Sequence, residues 1–309
     1  MISKKTSPLI SVIICTFNTK DMTIRCLRNL KKSIDSLDKG VEVIVVENGT
    51  DGTGTLLKKK FPWVKVIEPS ENTGFAKGNN LGLKASNKKS KYYLLLNTDA
   101  FVKSETLKRA VDFMEAHDSC DVLGCRLNFG NGKLQGSGGY LPTPFSVFSW
   151  IWGFDLLPLV NRALKSVHPK NSNFFKVERK VGWVMGAFLL MKKVVVDKTR
   201  GFDENFFMYM EEVEWCRRIN DLGFNIWYTP SFAITHLDKA SSKKYPDKLR
   251  KIYRNEILGV IYFLRKYYPT HIIWMLPVIK LGLYARIFVF TSIGNKMRQE
   301  AYLETVQSI

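Results

Sequence analysis

The sequence predicts an α/β fold: a mostly parallel central sheet with flanking helices, followed by a helical extension. Three observations carry this expectation. Short, nearly continuous apolar runs of strand length recur through the first hundred residues, as in strands buried on both faces. Helix-period segments alternate with them, the order that builds right-handed βαβ crossovers. The last 70 residues then change to long apolar stretches interleaved with cations.

Leu9–Thr16 (LISVIICT) is the first strand. Asp21 caps the helix after it, where Met22, Leu27, Leu30, Ile34 and Leu37 supply an apolar face. Val41–Val46 is the second strand and ends in Glu47-Asn48-Gly49, while Lys65-Val66-Ile67 is a short third. Gly74–Ser86 reads as a helix, Tyr92–Leu96 as a fourth strand, and Ser104–Ala116 as another helix. Asn128–Tyr140 is turn-rich, and Leu141–Val160, rich in Pro, Phe and Trp with Asp155 its one charge, reads as an apolar flap or membrane-touching loop. Val181–Met191 is a buried strand opening with a Trp-bearing turn. Phe206–Asn220 is a helix, and Ile226–Thr235 a final strand ending in His236. Asp247–Tyr268 is a basic amphipathic helix. Ile272–Ile293 is more apolar still but carries Pro277, Lys280 and Arg286, which suits a helix lying in a membrane interface better than a full span.

Composition narrows the function. With 45% hydrophobic and 24% charged residues, the chain has the makeup of a folded enzyme-sized protein and not of a disordered one. Five cysteines without a CxxC pair argue against a disulfide scaffold or cysteine zinc site and fit a reducing cytosol. No signal-peptide pattern is expected at the start. The net charge of +19 is uneven: residues 194–238 hold 4 basic against 8 acidic side chains, whereas 162–193 and 239–309 are strongly basic. Without a helix-turn-helix, zinc-finger or RRM pattern, that charge points to an anionic membrane surface or phosphorylated substrate, and not to nucleic acid. A GxGxxG fingerprint is missing after the first strand, against a dinucleotide redox enzyme.

Open parallel sheets bind ligands beyond the carboxyl ends of their strands. The polar groups there are Thr16-Phe17-Asn18, Glu47-Asn48 and Asn97-Thr98-Asp99. Asp99 could hold a hard cation, although a helix cap is an equally ordinary use of an Asp there. Glu211, Glu212 and Glu214 sit among aromatics. A carboxylate so placed can have a raised pKa and act as general base, although most such clusters are solvated helix faces.

Taken together, SVIICTFN, VIVVENGTDGT, ENTGFAKGNNLG, YLLLNTDA, VGWVMGAFLLM and GFDENFFMYMEEVEWCRRINDLGFNIWYTP, closed by His236, resemble the inverting glycosyltransferases of family 2, which have the GT-A fold, and especially their rhamnosyltransferase-like branch. The resemblance spans about residues 9–240. It implies a GT-A domain over 1–240, with a nucleotide-binding half to about 125 and an acceptor half from about 126, and a basic extension over 241–309. It places Thr16, Phe17, Asn18, Glu47 and Asn48 around the nucleotide base, with Glu47 where the family usually has Asp. Asn72, Gly74, Phe75, Asn79 and Asn80 would shape the nucleoside and diphosphate side. Asn97 and Asp99 match a DxD-like element whose first position is Asn here. Asp99 and His236 would hold Mg²⁺ or Mn²⁺, and Trp183, Gly186 and Ala187 would border the sugar. Glu211-Glu212 stands for the family's Glu-Asp pair, with Glu212 as the base. The implied donor is a dTDP- or UDP-linked sugar such as rhamnose, and the acceptor a glycan or lipid-diphosphate-linked glycan of the cell envelope. The implied location is cytoplasmic, on the inner face of the membrane. A binding-only protein of the same fold is the rival, separable by assaying donor hydrolysis and transfer with and without EDTA.

Overall fold

The computed structural model describes residues 7–206, 208–237 and 246–309. The first half alternates as expected: β1 (Ile10–Thr16), α1 (Lys20–Asp35), β2 (Val41–Glu47), α2 (Thr53–Lys60), β3 (Val64–Ile67), α3 (Gly74–Ala85) and β4 (Tyr92–Leu96). The short β5 (Ala100–Phe101), α4 (Thr106–Ala116) and β6 (Val122–Asn128) follow, then β7 (Leu134–Gln135) and β8 (Gly138–Gly139). Two short helices, α5 (Pro144–Trp152) and α6 (Pro158–Ala163), precede β9 (Arg179–Lys180), β10 (Trp183–Val184) and β11 (Phe188–Lys192). The chain continues with α7 (Lys193–Thr199), α8 (Glu211–Asp221) and β12 (Ile226–His236), and ends in α9 (Pro246–Tyr267), α10 (Ile272–Ser292) and α11 (Lys296–Ser308).

The main sheet runs β3-β2-β1-β4-β11-β6-β12-β5. β3, β2, β1 and β4 are mutually parallel, as are β6 and β12, and β11 is inserted antiparallel between β4 and β6. The six longer strands other than β11 therefore point the same way. Period-two alternation divides their side chains between two layers. Val12, Ile14, Leu94, Leu96 and Leu190 pack with α1 and α4 on one face. Ile13, Tyr93, Leu95, Leu189 and Met191 pack with α3, α8 and α9 on the other. Each such fully buried aliphatic side chain contributes about 1.5–3 kcal/mol over its exposed state.

Several elements differ from expectation for local reasons. The Leu141–Val160 segment contains real helix: Thr143 caps α5 through a reciprocal pair with Ser146, and Pro144 occupies the first turn, where its missing N–H costs nothing. Val181–Met191 is two strands, split at Met185–Ala187. The helix expected from Phe206 begins at Glu211, because Tyr209 (φ 74°) and Met210 (φ 71°) turn the chain left-handed just before it. Pro277 lies inside α10 without ending it. By length and composition α10 could cross a membrane.

Candidate active site

The strand order reverses between β1 and β4: β2 and β3 extend the sheet to one side of β1, and β4 lies on the other. Loops that leave neighbouring strands in opposite directions open a crevice between them, and that crevice is where open α/β sheets take ligands. The crevice is walled by the loops after β1, β2 and β4. A hydroxyl cluster of Thr16, Thr19 and Thr23, with Oγ1 atoms 2.8 and 2.9 Å from Thr16, stiffens the first loop, and Thr19 reaches Thr98 at 3.4 Å across the crevice. Asn18 sits at φ 51° and accepts the Thr50 N–H at 2.8 Å, tying the first loop to the one after β2. Phe17 is left about half exposed at the rim.

Glu47 ends β2 with its carboxylate buried. One oxygen accepts the Gly49 N–H at 2.5 Å, while Oε2 has no hydrogen-bond partner among the described residues. A Cβ on Gly49 would lie 2.6 Å from that carboxylate and from the Asn18 backbone nitrogen, so the close fit demands glycine. Burial pushes the Glu47 carboxyl above its ordinary value, against the Gly49 bond that lowers it. Asn48 bridges to the start of α3, donating to the Gly74 carbonyl at 2.9 Å and accepting from Thr73 Oγ1 at 2.9 Å. Asn72 accepts the Gly74 N–H at 2.9 Å, and Gly74 itself takes φ 74°.

On the β4 side, the pairing of β5 with the end of β12 puts His236 opposite Ala100, next to Asp99. His236 Nε2 lies 3.2 Å from Asp99 Oδ1, and Nδ1 lies 3.0 Å from Gln135 Oε1. A carbonyl oxygen at Nδ1 calls for the Nδ1–H tautomer, which leaves the Nε2 lone pair directed at Asp99. Asp99 and His236 thus form a two-ligand corner suited to a divalent cation. Among the described residues no group of three or more potential protein ligands exists, so further donors would have to come from outside the chain.

The third component lies across β11. The Asn97 N–H donates to the Ala187 carbonyl at 3.3 Å, joining the Asn97–Asp99 turn to the Met185–Ala187 break. The Gly186 backbone in turn faces the Glu212 carboxyl, whose pKa it lowers against the rise from burial. A chain of adjacent groups therefore links Asp99 to Glu212. Glu211 and Glu212 open α8, and each has a buried Oε2 without a hydrogen-bond partner among the described residues. Burial raises both carboxyls, Glu211 further through the Glu212 charge. Glu214 contrasts with them. It is fully buried but bonded to Arg218 (2.9 Å), Lys266 (2.8 Å) and the Tyr267 hydroxyl (2.7 Å), so it is a structural anion.

Comparison with known proteins places this geometry. The Glycosyl transferase family 2 profile matches residues 11–198, more than half of the chain. The chain belongs to this family. It is 25% identical over 219 residues to the N-acetylglucosaminyl-diphospho-decaprenol L-rhamnosyltransferase of Mycobacterium tuberculosis, covering 68% of this chain and 70% of that one. It is 24% identical over 246 residues to Rhamnosyltransferase WbbL of Escherichia coli K12, covering 78% and 88%. Among solved structures, the mannosyltransferase PcManGT from Pyrobaculum calidifontis, in complex with GDP-Man and Mn²⁺, superposes with a TM-score of 0.58 at 16% identity, over 98% of this chain and 87% of that one. Staphylococcus aureus TarS 1-349 gives 0.52 at 16% identity, over 97% and 90%. The fold is the GT-A fold of a family 2 glycosyltransferase, rhamnosyltransferase-like in sequence.

Within this glycosyltransferase the expected residues do not all face the crevice. Glu47, Asn97, Asp99, Gly186, Ala187, Glu211, Glu212 and His236 are brought together as described. Asn79 is buried and donates to the Phe75 carbonyl inside α3, while Asn80 clamps the Phe202 backbone through both its amide atoms. Phe75 packs on Phe202 at 5.8 Å between centroids. Trp183 is buried, its indole N–H donating to the Val167 carbonyl at 3.0 Å and its ring set edge-on to His168. Thr98 joins as the Asn97-Thr98-Asp99 segment implied, whereas Gln135 and Thr19 take part without having been expected; Gln135 is 101 residues from His236 in sequence, and no local pattern marks it.

Proposed function

We propose that this chain is an inverting sugar transferase that moves a hexose or deoxyhexose, such as rhamnose, from a dTDP- or UDP-linked donor to a hydroxyl of a lipid-diphosphate-linked glycan, on the cytoplasmic face of the membrane. The observation that carries the reading is the Glu211–Glu212 pair, whose two buried Oε2 atoms have no hydrogen-bond partner among the described residues and which adjoins the Gly186 turn beside the crevice. Glu212 takes the proton of the acceptor hydroxyl. The hydroxyl oxygen attacks the anomeric carbon from the side opposite the diphosphate, the bond to the phosphate oxygen breaks, and the nucleoside diphosphate leaves with the electron pair. One displacement inverts the centre.

Glu47, with its unpartnered buried Oε2, accepts an N–H of the donor base, and Phe17 covers the base at the rim. Asp99 and His236 would hold Mg²⁺ or Mn²⁺ together with the donor diphosphate, and Gln135 would fix the His236 ring by accepting from Nδ1–H. The cation would supply positive charge beside the leaving diphosphate. The acceptor assignment draws on the lipid-linked substrate in the name of the mycobacterial relative.

The test is transfer from a panel of nucleotide sugars, with product configuration read by NMR. Glu212→Gln should lower kcat by about 10²–10⁴-fold with donor affinity kept, the range lost with a general base. EDTA should abolish transfer and Mn²⁺ restore it. Near-normal transfer by Glu212→Gln would remove the base assignment.

A further inference from the structure

Helix α10 is apolar on every side, and only one side is covered. Met275, Ile279, Gly282 and Leu283 face the protein and are buried. On the opposite side, Ile273, Leu281, Tyr284 and Phe288 form a stripe at helical spacing, with Ile273 76% and Phe288 74% exposed. A helix hydrophobic all round needs a second apolar medium. A second exposed set follows α5, where Leu156 is 70% and Leu159 83% exposed. The two sets are joined: Gly282 has room only for hydrogen against Ile151, and Arg286 donates to the Trp150 and Ile151 carbonyls, closing the last turn of α5 onto α10.

Charge identifies the medium. Between Asp121 and Glu178 the one acidic residue is Asp155, which is buried, and between Glu256 and Glu300 there is none. The same stretches carry Lys165 beside the first set, where Lys170 is paired with Asp155 at 3.7 Å, and Lys280 beside the second, three and four residues from Pro277 and Tyr284 on the same helix flank. Two copies meeting through this face would set cation against cation. An anionic lipid surface accepts both the apolar stripe and the cations. The indole of Trp274 and the phenol of Tyr284, both exposed, are the amphipathic groups that favour a headgroup boundary.

We propose that the exposed sides of α10 and of the segment after α5 form one dock that lays the enzyme on anionic membrane, with α10 in the plane of the interface and not across the bilayer. A spanning helix would have to give up the contacts of Met275, Ile279 and Leu283 and carry Lys280 and Arg286 into hydrocarbon. The dock also orients the site. The same α5 presents Ser146, Val147 and Trp150 to a cleft shared with Met210, Glu256 and Val260, directly before the Glu211–Glu212 pair. A lipid-linked acceptor held in the surface would thus lie on the α5 side of the turn that carries Met210 and leads into the Glu211–Glu212 pair, an extension that rests on the acceptor reading above.

The test uses the full chain and vesicles of phosphatidylcholine with or without phosphatidylglycerol, read by co-sedimentation. The wild type should bind the anionic vesicles and lose affinity in high salt. Leu281→Asp with Phe288→Asp, and separately Leu156→Asp with Leu159→Asp, should each weaken binding at least 10-fold with the melting temperature unchanged. Lys280→Glu, a milder change on the flank, should weaken anionic binding alone. Vesicle binding unaffected by both double variants would overturn the dock, as would resistance of the full chain to alkaline carbonate extraction, which marks a spanning helix. A dimer made monomeric by the double variants with vesicle binding unchanged would overturn it in favour of a second copy. Transfer to a water-soluble acceptor analogue is measured in parallel: its absence in the wild type, with vesicle binding intact, would sink the transferase reading and leave the dock standing.

Discussion

Glu211, Glu212 and Glu214 lie within four residues, yet their carboxyls move in opposite directions. For Glu214, burial alone would raise the pKa, but the bonds from Arg218 and Lys266 outweigh it and hold the group below its ordinary value. For Glu211, burial and the Glu212 charge both raise it. The consequences for stability have opposite signs. A carboxyl raised in the folded state binds more protons than in the unfolded chain, so its contribution is full below the unfolded pKa and is lost as pH rises through the folded one. Glu214 contributes above the unfolded pKa and loses that contribution as pH falls through its depressed folded value. Glu211→Gln removes the first burden, and we expect it to raise stability at pH 7.5 by ~1 kcal/mol, a common gain at a strained functional site. The melting temperature of the wild type should fall furthest below that of the variant at high pH and recover relative to it toward pH 4.5. Thermal melts of both proteins across that range check the sign. With Glu212 as the proposed base, active only when ionised, kcat/KM should rise with pH through a midpoint above the ordinary carboxylate range.

At the scale of elements, the site depends on how α8 is started. Two successive non-glycine residues at positive φ cost about 1–2 kcal/mol each and persist only where packing holds them. Here α9 does the holding: at Gly259 a Cβ would stand 3.0 Å from the Tyr209 carbonyl oxygen and from Met210 Cβ. Gly259→Val should therefore push α9 off the turn, costing about 1–3 kcal/mol as overpacking does, and reduce kcat more than donor affinity; melting curves and transfer kinetics together test this. That turn also marks a boundary of what sequence can express. β1, β2, β4 and α3 were legible because burial on both strand faces, or one helix face, writes a period into consecutive residues. The run Phe206–Asn220 carried a helical pattern through residues that are not helix, because the forces that bend Tyr209 and Met210 come from α9, some fifty residues on. The antiparallel insertion of β11 was hidden for the same reason, since one apolar strand reads alike in either direction. In the site, Glu47, Asp99 and the Glu211–Glu212 pair follow strands or open a helix and could be picked out by position. Gln135 and Thr19 act through contacts made only by the folded chain.

For the whole molecule, the division of charge becomes a division of labour between chain segments. The acidic stretch around α8 is neutralised from α9: Lys266 bonds both Asp203 (2.7 Å) and Glu214 (2.8 Å), and Tyr267 adds its hydroxyl. The expected boundary near residue 240 separates sequence of different character, but Ile257, Ile261, Phe263 and Leu264 share one core with α8 and β11. Removing everything after Leu237 would strip those four buried side chains, about 1.5–3 kcal/mol each. It would also take from Glu214 the Lys266 and Tyr267 bonds, leaving Arg218 to compensate the anion; hydrogen bonds to a charged group contribute about 1.5–3 kcal/mol each. The sum matches or exceeds the 5–15 kcal/mol that ordinarily holds a domain of this kind together, so the truncated chain should fail to fold and be recovered insoluble. Lys266→Met in the full chain removes one of the three Glu214 partners at a half-exposed position, and should cost only about 1 kcal/mol. Its melting temperature should drop by a few degrees, and the drop should shrink in acid as Glu214 takes up a proton. A soluble, cooperatively melting 1–237 fragment would show instead that α9 is an appendage, and that the basic C-terminal helices serve the membrane alone.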